Sequence, residues 1–137
     1  MVRTGLVHLL VGFALGAVML AQKGLLLDGA GFLLLRPLHA ELLTLGWTVN
    51  LGMGVAFWIL PRAGTGSTRT GATQVLLAAA LLNAGVLVTG LAPMLGADSW
   101  LAAAGRAAEV GAAVLFGQHV LGRVQVRSGK WEVGSGK

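Results

Sequence analysis

From Leu42 to Pro61 the chain carries no charged residue, a run of 20 positions. At a helical rise of 1.5 Å per residue this is long enough to cross a bilayer hydrocarbon core of about 30 Å. A backbone in that solvent must satisfy its own polar groups, so the run is expected to be helical. It sits inside Arg36–Arg62, RPLHAELLTLGWTVNLGMGVAFWILPR, which opens on a proline helix-start signal and closes on a proline stop. His39, Glu41 and Asn50 lie on this stretch, at or below the level of lipid headgroups. There a polar side chain is costly unless partnered, which makes each a functional candidate.

Three further apolar segments accompany it, giving helices expected at about 5–22, 38–60, 71–92 and 98–122. The composition agrees: 55% hydrophobic and 11% charged, with a mean hydropathy of +0.80. A soluble domain of this length needs more polar surface than that. The fold class is therefore all-α, a four-helix transmembrane bundle forming one domain over 1–124. The basic Gly- and Ser-containing segment 125–137 reads as a mobile tail. With no Cys, disulfides, thiolate metal sites and cysteine nucleophiles are excluded. The net charge of +5 does not point to nucleic acid. Its Lys and Arg residues flank apolar runs instead of lining one helix face among stacking aromatics.

The first segment contains Gly12 and Gly16, a GxxxG pair that lets another helix approach closely, with His8 one turn before it. The stretch GLLLDGAGFLLLRP that follows is too short to span and is broken by Gly and Asp28. It reads as an outer interfacial loop with at most a helical turn. In the second segment Gly46, Asn50 and Gly54 recur every four residues and share a face with His39 and Leu43. The loop RAGTGSTRTG follows Pro61. The third segment holds Asn83. The fourth starts at the cap candidates Asp98 and Ser99 and the interfacial Trp100, and holds Arg106, Glu109 and His119.

Seven Lys and Arg residues flank one side (Arg3, Arg62, Arg69, Arg123, Arg127, Lys130, Lys137). Two, Lys23 and Arg36, flank the other. The asymmetry places both termini and the middle loop in the cytoplasm, an N-in, C-in topology in a prokaryotic cytoplasmic membrane. Depth then sorts the polar residues. His8 and His119 fall near the inner surface as one candidate metal-ligand pair. His39, Glu41, Asn50, Asn83, Arg106 and Glu109 fall in the outer half, where they could converge as a polar cluster. Arg106 and Glu109, at i, i+3, carry opposite charges and call for pairing inside the protein.

Arg36-Pro37-Leu38-His39, opening a membrane helix on the outer side, resembles the second helix of haem–copper oxidase catalytic subunits, closest to the cbb3-type. Gly46-Trp47 and the Pro61-Arg62 stop fit related short, four-helix proteins described as subunit I-like. The resemblance covers about 27 residues. It implies that His39 is an axial ligand of a low-spin haem b near the outer face. In those oxidases twelve or more helices supply several more His residues, whereas this chain has three His in all. Oxygen reduction at a binuclear centre is therefore not expected.

On this basis the expected function is a small b-type haem protein for electron transfer or diatomic-gas sensing, without enzymatic turnover. His39 would be a ligand, Gly46 and Asn50 would lie beside the macrocycle, and Arg106 would meet a propionate. The sixth ligand would be His39 of a second protomer, Met19, Met94 or a gas. The expected partners are the bilayer, a second copy in a homodimer, and a respiratory-chain redox protein. Two other readings stand beside it. One is a non-enzymatic scaffold or accessory subunit of a respiratory complex, its polar layer only fixing helix packing. The other is a small transporter or quinone-binding protein.

Overall fold

A computed structural model describes the backbone of residues 1–25, 30–60, 68–96 and 99–134; the side chains of 30–33, 68–71 and 124–134 are outside the description. The described chain is all-helical. It consists of α1 (Val2–Gly24), α2 (Ala30–Glu41), a π-helical segment (Leu42–Val49), α3 (Asn50–Ile59), α4 (Thr68–Leu91) and α5 (Ser99–Gly134). α2, the π segment and α3 run on without a break. Three stretches are long and apolar enough to cross a membrane: Val2–Gly24, Leu34–Ile59 and Ala72–Leu91. α5 is not among them; it carries Arg106 and Glu109 in its interior.

Consecutive helices run antiparallel. Gly16 of α1 meets His39, Gly12 meets Leu43, Gly5 meets Asn50, and Val2 meets Gly54. Gly90 of α4 meets Leu38, and Gly105 of α5 meets Thr89. One end of the bundle, here the upper end, therefore gathers Gly24, Leu34, Leu91 and Ser99. The lower end gathers Met1, Phe57 and His119. The upper turn from α4 to α5 is closed by Gly96 at φ 60°, a left-handed conformation that glycine adopts without steric penalty.

The core is small: Leu42, Met53, Ala78, Leu82, Val86 and Ala112. Large apolar side chains face outward instead, among them Leu10, Leu20, Leu76, Leu121 and Trp58. Between helices in lipid there is no hydrophobic drive, because tails are as apolar as leucine. Packing of small residues and interhelical hydrogen bonds carry association instead. The glycine contacts fit that rule. At Gly85 and Gly105 the α4 and α5 backbones approach so closely that a Cβ on Gly85 would sit 2.8 Å from the Gly105 carbonyl oxygen.

Three expectations change. The stretch expected as an interfacial loop is helical from Ala30, with Pro37 inside the helix. Proline removes one backbone donor there, but in an apolar medium leaving a whole segment unpaired costs more. The second segment is not a regular α-helix: Leu42–Val49 is π, and Thr48 Oγ1 donates back five residues, to the Leu43 carbonyl at 3.0 Å. The expected face of His39, Leu43, Gly46, Asn50 and Gly54 nevertheless lies along α1 throughout, and the Asn50 amide also reaches Asn83 of α4. Finally, α5 continues to Gly134, through the segment that composition marks as a mobile tail. Gln, Arg, Lys and Glu in that segment are good helix formers. Asp28, the Asp98 cap and the loop at 61–67 lie outside the described residues.

Candidate functional site

The polar residues form separate layers. In one, Arg106 of α5 bridges two acids. One guanidinium nitrogen donates to Glu109 Oε2 at 3.0 Å, and the other donates to Glu41 Oε1 of α2 at 2.5 Å. Both carboxyl side chains are 7% exposed, whereas the Arg106 side chain is 55% exposed. The layer lies at the α4–α5 glycine crossing, where Glu109 Cγ lies over Gly85 and Thr89 Oγ1 over Gly105. Glycine at both places lets the carboxyl of Glu109 sit between two backbones. Glu41 Oε2, Glu109 Oε1 and Thr89 Oγ1 are buried and have no hydrogen-bond partner among the described residues.

His39 belongs to a different contact. Its Nδ1 donates to the Gly12 carbonyl at 2.8 Å, and the ring lies on Gly16, where a Cβ would come within 2.8 Å of Cε1. The GxxxG pair of α1 is thus covered by Leu43 and His39 of the same chain. A carbonyl can only accept, so the bond fixes the proton on Nδ1 and leaves Nε2 with a free lone pair.

Below it lies a network that ties three helices. His8 Nδ1 donates to the Gly46 carbonyl at 2.9 Å, and Asn50 Nδ2 donates to the same oxygen at 2.8 Å. Asn50, fully buried at 0% exposure, pairs with Asn83 of α4 through two amide bonds of 3.2 and 3.3 Å. Asn83 also donates to the Ala79 carbonyl at 2.6 Å. His119 lies lower still. Its ring centroid is 6.1 Å from that of Phe57, over which the Arg123 guanidinium is placed at 5.1 Å.

The six residues expected to converge therefore divide. Glu41, Arg106 and Glu109 meet; Asn50 and Asn83 meet each other; His39 bonds to α1. His8 and His119 do not meet either, since Gly46 and Phe57 are about 16 Å apart along one helix at 1.5 Å per residue. Among the described residues no group of three or more His, Asp and Glu could hold a metal ion. As a haem site the residues fit poorly. The Gly46 surface is filled by His8, with ring atoms 3.0 Å from where a Cβ would be. Asn50 is sealed, and Arg106 is engaged by two acids. Of the residues expected around the haem, His39 keeps a free coordinating atom, Nε2.

Gly85, Gly105 and Thr89 were not singled out in the sequence. Their signal was present: Gly85 and Thr89, like Gly105 and Glu109, are one turn apart, a small-residue seam on each helix. No family model, curated protein or solved structure matches the chain.

Proposed function

We propose that this chain is a non-enzymatic membrane scaffold or accessory subunit, a four-helix transmembrane bundle with both termini in the cytoplasm. The observation that carries the reading is the use made of its polar residues. His8, His39, Asn50, Asn83, Glu41, Arg106 and Glu109 are all bonded within or between the helices. Such bonds fix register and rotation, a need that is acute where helices gain little from apolar contact. The outward-facing leucines and tryptophans then present a lipid- or partner-facing surface.

A second reading keeps the haem b protein, with electron transfer or gas sensing as its task and a second copy supplying the other His39. One observation favours it: the Nδ1 bond to Gly12 orients His39 and leaves Nε2 able to ligate, the arrangement in which a ligand histidine donates its other ring N–H to a carbonyl. Absorbance in the Soret region of protein purified from haem-replete membranes separates the two. A scaffold shows no Soret band. A band that is lost in His39→Ala and kept in His119→Ala would establish the haem protein in its place.

A further inference from the structure

The charges of the upper layer do not balance. Two carboxylates face one guanidinium. α4 adds no charged side chain there, since beyond Arg69 it has none. On α1 the nearest charge, Lys23, lies about 10 Å along the helix from Gly16, the residue under His39. His39 is held by Gly12, and His8 is a layer below. An unneutralised negative charge at this depth is costly.

The geometry shows where the missing positive charge belongs. Arg106 takes one oxygen from each acid, Glu41 Oε1 and Glu109 Oε2. The other oxygen of each, Glu41 Oε2 and Glu109 Oε1, is buried and has no donor among the described residues. Thr89, 6% exposed, contributes a third unpartnered buried oxygen at the same α4–α5 crossing. A carboxylate oxygen without a donor loses its hydration and gains nothing in return. Arg36 of α2 is exposed and about 8 Å along the helix from Glu41. Among the described residues Arg106 is the cation paired with either acid. A proton is small enough to supply the missing charge.

We propose that Glu41, Arg106 and Glu109 form a proton-binding site: one carboxyl of the pair takes up a proton from water as a carboxylic acid, and Arg106 balances the other. The site is then neutral as a whole. This goes beyond a packing role, because it gives the bundle an exchangeable proton within its apolar layer.

The test is infrared spectroscopy of the full chain in lipid vesicles at neutral pH, in H2O and D2O. Wild type should show the carbonyl stretch of a protonated carboxylic acid, shifting in D2O. Glu41→Gln and Glu109→Gln should each abolish it, because Arg106 then neutralises the acid that remains. Arg106→Gln should roughly double it, since both acids must then be protonated. A purely structural ion pair predicts a different pattern, with no band in wild type. Absence of the band in wild type, or its survival in either glutamine variant, overturns the proposal. If one glutamine variant fails to fold, the other and Arg106→Gln still decide.

Discussion

Asn50 and Asn83 show how much a single amide pair has to do in this protein. Both are polar, both lie among apolar neighbours, and each donates to and accepts from the other. Truncating Asn50 leaves the Asn83 amide and the Gly46 carbonyl each short of one partner. Asn50→Ala is expected to cost about 1–3 kcal/mol, the range for an orphaned buried polar group. Asn50→Leu combined with Asn83→Leu should cost less than the sum of the single changes, because no partner is orphaned. A double-mutant cycle on thermal unfolding in detergent checks this; strict additivity would mean the two amides do not interact. At the same scale Arg106→Ala should cost more than Arg106→Leu with Glu109→Leu, since the single change strands both acids.

Among the elements, the α4–α5 hairpin depends on glycine where the two helices cross, at Gly85 and Gly105. A Cβ on Gly105 would run into the Thr89 hydroxyl and backbone nitrogen, while one on Gly117 of the same helix meets nothing within 4 Å. Gly105→Ala should therefore destabilise the hairpin by roughly 1–3 kcal/mol through overpacking. Gly117→Ala should stabilise it by up to about 1 kcal/mol through helix propensity. The comparison of melting temperatures is internally controlled, and equal effects at the two sites would mean the helices do not cross there. The π segment is the other element-scale feature. It widens the turns between Glu41 and Asn50, yet Gly46 and Asn50 both stay against α1, at His8 and Gly5. A sequence reading that assumes 3.6 residues per turn cannot anticipate the wider turns, because π geometry leaves no composition signal of its own.

For the whole molecule, the absence of cysteine makes orientation directly measurable. Single cysteines at Thr4 and Ser99 lie at opposite ends of the bundle, both exposed. Under the N-in topology a membrane-impermeant maleimide applied to intact cells labels Ser99→Cys and spares Thr4→Cys. The reverse pattern would invert the bundle and move the Glu41–Arg106–Glu109 layer to the cytoplasmic half.

The sequence by itself determined that the chain is helical, and it placed the ends of the first and third apolar segments to within about three residues. An apolar run of membrane length has one economical backbone solution, and prolines and charges mark its limits. It also determined that Arg106 and Glu109 need partners, because charge at depth cannot stand alone. Only the tertiary structure decided which partners those are. Glu41 joined Arg106 although His39, Asn50 and Asn83 were expected at similar depth, and Gly46 received the His8 ring. Helical spacing gives the order of residues along an axis. Rotation about that axis depends on how two surfaces of small residues fit together, as at Gly85 and Gly105.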